Sequence, residues 1–167
     1  KHPAWRTKNS VAWDVSVQGA REMNSLCIAN PNIYYFSYVT SNTILDSTSN
    51  RHVPDKNMSY IIRANARLMG MKKAYYSDGS ETDSTWFEND GIVNKKSMLG
   101  PTTGINGSDP ISNYRINDIL IPGQWYVMGE YKSDHRKFVG HSIRKEKFEE
   151  LIKIYVEHLL LLWTLPK

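Results

Sequence analysis

Among its 167 residues the chain has a single cysteine, Cys27. An internal disulfide is thereby excluded, and so is a metal site assembled from several thiolates. Cys27 falls in an apolar, helix-like stretch, which predicts a buried and unreactive thiol. No apolar run reaches the roughly 18 residues that a membrane-spanning helix requires. No internal repeat and no low-complexity block occur. Neither sign of charge dominates: 21 Lys and Arg against 17 Asp and Glu leave a net charge of +4. The bases are scattered, apart from a loose cluster over residues 136–147, so nucleic acid is not expected as a partner. The sequence opens on Lys1 with neither an initiator methionine nor a leader peptide, which sets the expectation of a piece of a longer protein.

What is present is enough for one core. The hydrophobic share is 40%, with five Trp, ten Tyr and four Phe, the composition of a globular domain rather than a disordered one. Helical spacing over 15–29, with Asp14 or Ser16 as N-cap, ends at the turn Asn30-Pro31-Asn32. Ile33–Val39 is β-branched and aromatic throughout and reads as a strand buried on both faces. A helix, a turn and a doubly buried strand predict an α/β fold with a mostly parallel sheet.

Residues 40–57 read as a long polar loop, 61–71 as a helix, 77–85 as a second loop and 100–118 as a Gly/Pro/Asn-rich stretch. Gln124–Tyr131 reads as a short strand leading into a charged loop. Phe148, Leu151, Ile152, Tyr155, Leu159 and Leu162 recur every three or four residues and predict a helix over 144–163. Lys145–Glu149 and Lys153–Glu157 would pair on its wet side. Its end, Leu159–Trp163, is apolar nearly all round and is expected to be buried, either in a larger domain or against a partner. Two structureless stretches of this length are unusual in a compact domain, which again points to a portion of something larger.

The chemistry rests on few residues. Asp90 lies in the turn sequence Glu88-Asn89-Asp90-Gly91, and His135 follows a strand. A carboxylate on one loop and an imidazole on a later one suit the acid and base of a nucleophilic triad, in the chain order nucleophile, acid, base. Spacing alone favours the ordinary alternative, since Asp-Gly is a common turn and a lone loop histidine is usually solvated. No G-x-S-x-G nucleophile motif occurs anywhere. Gly140-His141-Ser142 imitates its start, but Arg144 replaces the last glycine and the order is wrong, so Ser142 reads as an N-cap for the last helix. His2, His52 and His158 are expected to be solvated or locally bonded, His141 to lie at the surface or else beside the site, and Trp86, Trp125 and Tyr131 to be framework or else to touch an acyl chain.

Five segments, taken in order, resemble one family. Asp14-Val15-Ser16-Val17-Gln18-Gly19-Ala20-Arg21-Glu22-Met23-Asn24 resembles the D-L-S-x-x-G-A-x-x-L-N segment of the staphylococcal and thermophilic Bacillus/Geobacillus triacylglycerol lipases. Pro31-Asn32-Ile33-Tyr34-Tyr35-Phe36-Ser37-Tyr38 resembles their P-N-T-Y-Y-L-S-F strand. Trp86-Phe87-Glu88-Asn89-Asp90-Gly91-Ile92-Val93-Asn94 resembles W-x-E-N-D-G-I-V-N, and Ser97-Met98-Leu99-Gly100-Pro101 resembles S-M-x-G-P. Trp125–Tyr131, Asp134-His135 and Gly140 resemble W-x-x-M-G-x-Y, D-H and the glycine that follows.

The resemblance implies the C-terminal part of a single α/β-hydrolase domain spanning 1–167: the last strands of a mostly parallel sheet, loop-rich insertions and a C-terminal helix. It implies a secreted lipase or carboxylesterase acting on acylglycerols or other lipid esters at a lipid–water interface. Asp90 and His135 would be its triad acid and base, and the missing N-terminal half of the same protein would supply the serine. The other expectation is a non-catalytic lipid-binding module or a degenerate lipase fragment.

The resemblance also implies a calcium ion beside the histidine loop, held by acids two and seven positions after the histidine and by a backbone carbonyl. Those positions read Lys137, Ser142 and Asn57, and neither side chain is the anionic oxygen ligand calcium needs. The site is expected to be lost, with the Lys137 ammonium where the cation would be or paired with Asp55. The family's zinc aspartate reads Asn9, a poor ligand. No cofactor is predicted.

Overall fold

The computed structural model describes residues 8–102, 107–141 and 143–166. Ser10 caps a single turn, α1 (Val11–Asp14), and Ser16 caps α2 (Val17–Leu26) by accepting from the Gly19 amide at 3.0 Å. Gly19 is where the two helices meet. A Cβ there would lie 2.0 Å from the Trp13 carbonyl oxygen, so only glycine permits the approach. Cys27 forms the C-cap of α2 and is exposed, which corrects the expected burial: the chain leaves the helix there instead of continuing along a packed face.

The main sheet has three strands in the order β1-β5-β4, all parallel: β1 (Tyr35–Thr40), β4 (Ile111–Asn113) and β5 (Trp125–Tyr131). This is the parallel α/β arrangement expected, with β5 at its centre. In β1, however, only Val39 and Thr40 are buried. The expected double burial is not met because β1 lies at the sheet edge among the described residues. Phe36 and Tyr38 turn one face of β1 toward His158, at ring distances of 5.1 and 5.5 Å. Tyr35 stacks on Trp125 at 4.9 Å on the other face, as alternation along a strand requires.

The stretch 40–57 is not a loop but a hairpin, β2 (Thr43–Asp46) with β3 (Arg51–Pro54), paired antiparallel. Its short, half-exposed strands carry little hydrophobic signal, and the polar residues 47–50 make its turn. A 3-10 turn at Tyr60–Ile62 leads into α3 (Arg63–Met69). Met58, Ile62 and Ala66 form a buried cluster, which places one wall of the core directly behind the segment that carries Asp90.

After β5 the chain forms one helical turn, α4 (His135–Phe138), capped by Asp134. The last helix, α5 (Lys145–Thr164), matches its expected span, and Leu151 anchors it at 6% exposure. Ser142 lies outside the described residues, and the N-cap position of α5 is Arg144, without a side-chain cap bond. Lys153 pairs with Glu157 at 3.9 Å, whereas the first-turn pair is Lys147–Glu150 at 2.7 Å rather than Lys145–Glu149. Leu159, Leu160 and Trp163 are exposed within this chain, Trp163 by 83%, so any burial of this end falls to a larger domain or a partner. Apolar composition alone does not bury a surface; a partner surface must lie opposite, and here burial reaches only Leu151. No helix among the described residues is long and apolar enough to cross a membrane.

Candidate active site

Asp90 sits in a tight reversal closed by a bridge between Asn89 and Asn94. Asn89, fully buried, builds the turn from inside: its Nδ2 donates to the Phe87 and Ala66 carbonyls at 2.8 and 3.1 Å. Its Oδ1 accepts from the Gly91 amide at 2.9 Å. Gly91 has φ +96, and a Cβ there would lie 2.7 Å from Ile62 Cδ1, so this left-handed position suits glycine on both counts. The turn therefore presses Asp90 inward against the core cluster.

The Asp90 carboxylate is fully buried, and both oxygens are occupied. Oδ1 accepts from the Ile92 and Val93 amides at 2.9 and 2.8 Å. Oδ2 accepts from Thr40 Oγ1 at 2.7 Å and lies 2.9 Å from His135 Nδ1. The carboxylate is thereby locked in rotation, with one oxygen aimed at the imidazole. Thr40 ends β1, and His135 follows β5 by a short loop, so the pair forms at the carboxyl ends of adjacent parallel strands, where α/β sheets gather functional groups.

His135 is held at two points. Its amide donates to the Asp90 carbonyl at 3.1 Å while its ring meets the Asp90 side chain. The side chain is 41% exposed, and Nε2 has no hydrogen-bond partner among the described residues. With Nδ1 facing a carboxylate, the neutral ring is protonated there and offers Nε2 as an outward-facing base.

Residues without a role in the sequence reading complete the arrangement. Thr40 gave no signal beyond being a hydroxyl near the end of a strand. Asn89 lay inside the quoted Glu-Asn-Asp-Gly turn, where its asparagine type suits side-chain-to-backbone bonding. Asp134, fully buried, caps α4 through Lys137 N at 3.1 Å and accepts from the Ser59 amide at 2.8 Å and hydroxyl at 3.1 Å. The histidine turn is thus fastened to the segment before α3.

Of the two placements expected for Lys137, pairing with Asp55 is not the one seen. Its ammonium donates to the Asn57 carbonyl and lies 3.3 Å from Asp134 Oδ2. Asp55 instead faces Lys132 at 3.4 Å. The Asn57 amide, aided by Lys132, holds the Asp55 carboxyl below the usual carboxylate range. Ser142, the third of these positions, lies outside the described residues. Asn9 is exposed and offers no carboxylate to zinc. Among the described residues no group of three or more His, Cys, Asp or Glu is placed to hold a metal.

Of the remaining histidines, His2 lies outside the described residues. His141 sits against Arg136 and His52 against Thr43 Oγ1 at 3.2 Å. His158 is more than solvated: Nδ1 meets Tyr38 Oη at 3.0 Å, and burial lowers the ring's pKa. Burial likewise pushes the Tyr38 phenol up to about 12. Trp86 lies beneath the Lys96 ammonium at 5.4 Å, and Tyr131 packs on Phe138 at 5.3 Å.

Known proteins similar to this chain include lipases and the protein EstA. The chain is 28% identical over 154 residues to a lipase of Staphylococcus hyicus, covering 90% of this chain and 22% of that protein. It is 29% identical over 141 residues to lipase 1 of Staphylococcus aureus, covering 83% of this chain and 18% of that one. The chain thus spans about a fifth of the length of these relatives. Among solved structures, EstA from Clostridium botulinum superposes with a TM-score of 0.77 at 30% identity, over 91% of this chain and 35% of that one. The model of the lipase-like C-terminal domain matches residues 1–161, and the chain belongs to that family.

Proposed function

We propose that this chain supplies the acid, Asp90, and the base, His135, of a Ser-His-Asp triad in a secreted lipase or carboxylesterase. Its substrates are acylglycerols or related lipid esters met at a lipid–water interface. The serine comes from a part of the protein outside this sequence, which contains no G-x-S-x-G. The observation that carries the reading is the 2.9 Å contact between His135 Nδ1 and a fully buried, rotationally fixed Asp90 carboxylate.

The steps follow from that contact. His135 Nε2 accepts the serine proton as the serine oxygen attacks the ester carbonyl. The C–O bond to the alcohol then breaks, and the alcohol departs with the proton held on Nε2. A water molecule, deprotonated by the same nitrogen, attacks the acyl-serine; the carboxylic acid leaves and the serine recovers its proton. Asp90 orients the ring and stabilises the imidazolium present in both halves of the cycle.

Turnover of p-nitrophenyl esters distinguishes this from a non-catalytic lipid-binding module, the reading favoured by the missing nucleophile motif. The chain alone is expected to be inert, and the full-length protein active. Full-length protein that keeps its turnover with His135→Ala would sink the proposal.

A further inference from the structure

The segment from Asp55 to Ser59 presents the oxygen-rich surroundings of a cation. Three successive carbonyls, those of Lys56, Asn57 and Met58, each accept from a cationic side chain. Arg63 Nη2 donates to Lys56 O at 2.6 Å and Arg63 Nε to Met58 O at 3.0 Å, while Lys137 Nζ donates to Asn57 O. Asp134 adds a fully buried carboxylate 3.3 Å from the Lys137 ammonium. Asp55 adds a second, 5% exposed, facing Lys132 at 3.4 Å. Carboxylates and backbone carbonyls gathered in one place are hard-cation ligands. In this chain ammonium and guanidinium groups satisfy them.

We propose that Lys137 is a built-in cation that replaces a divalent metal, clamping the turn that carries His135 to the 55–59 segment. The calcium that the family resemblance implies does not fit these residues. The Asn57 carbonyl and the Asp134 carboxylate are the oxygens an ion between the two segments would use, and the Lys137 ammonium already takes both. An incoming divalent ion would have to displace that ammonium or lie against it, like charge against like charge. A metal confers its stabilisation only while bound and is removed by chelators. A lysine attached to α4 two residues after His135 is present whenever the chain is folded. Lys137 is therefore a positioning residue: it touches no reacting atom and acts through the placement of His135.

The test uses the full-length protein that contains this chain. Calorimetric titration with calcium chloride is expected to give no saturable heat, and the thermal midpoint to agree within about 1 °C between EDTA and millimolar calcium. Lys137→Gln, which leaves the Asp134 carboxylate without its cation, is expected to lower that midpoint by about 2–4 °C, in EDTA and calcium alike. It should also reduce kcat while leaving KM unchanged, and Lys137→Arg, which keeps the cation, should restore most of both. Lys137→Glu turns the clamp into a carboxylate pair and is expected to make the midpoint rise with added calcium. Saturable calcium binding by the unaltered protein would overturn the proposal. So would a Lys137→Gln variant with unchanged midpoint and kcat, or a Lys137→Glu variant blind to calcium. The effect on kcat rests on the acid–base reading of His135; the heats and midpoints do not, so failure of the triad leaves them to be read on their own.

Discussion

Asp90 grips His135 twice, through its backbone carbonyl at 3.1 Å and through its carboxylate at 2.9 Å. The two contacts come from one residue, so the imidazole cannot shift relative to the acid without unmaking the turn at 89–94. The imidazole is thus oriented by a backbone contact and a side-chain contact together.

Asp90→Asn keeps the size of the side chain and an oxygen for the Ile92 and Val93 amides. It places an amide NH2 against His135 Nδ1 and so favours the wrong tautomer. In the full-length protein kcat is expected to fall by about 10⁴-fold with the fold intact. Ester kinetics and far-UV circular dichroism on the same sample check both halves.

Thr40→Val removes the hydroxyl that donates to Asp90 Oδ2 at 2.7 Å from a position only 3% exposed. Valine fills the same volume, so the change removes the hydrogen bond to a charged group together with a weak contact to Met98 Sδ at 3.4 Å, with an expected loss of about 1.5–3 kcal/mol. Urea unfolding measures it, and an unchanged midpoint would remove Thr40 from the account of the site.

Gly91→Ala introduces a side chain at φ +96 and within 2.7 Å of Ile62 Cδ1. The strain amounts to about 1–3 kcal/mol. Because the same turn aims Asp90, activity is expected to fall further than stability explains. Turnover measured well below the unfolding temperature separates the two effects.

His158 supplies a dependence on pH. Burial lowers its pKa from the ordinary 6.5, so below that value the unfolded chain takes up a proton that the folded ring resists. Stability is therefore full above 6.5, falls as pH drops toward the lowered folded-state value, and levels off beneath it. Thermal midpoints from about pH 8 to pH 5 should decline, and His158→Gln should flatten that part of the curve.

The sequence by itself determined the family, the parallel α/β character, the strand β5 though not its central place, the span of α5, and, through the family resemblance, Asp90 and His135 as the residues to watch. These are properties written in local pattern: aromatic and β-branched runs, three-to-four-residue spacing, and short motifs whose turn residues have fixed backbone demands. Pattern did not reach the hairpin at 43–54, whose short, half-exposed strands have no apolar rhythm, nor the exposure of Cys27, which depends on what lies opposite. Nor did it show that Thr40, 50 residues before Asp90, would share a hydrogen bond with it. The sequence also left the Lys137 ammonium two destinations, Asp55 or the position of a cation. Only the tertiary structure showed that it meets the Asn57 carbonyl and Asp134 rather than Asp55, because the charge on a lysine is a local property whereas its partner is fixed by how segments 80 residues apart are brought together.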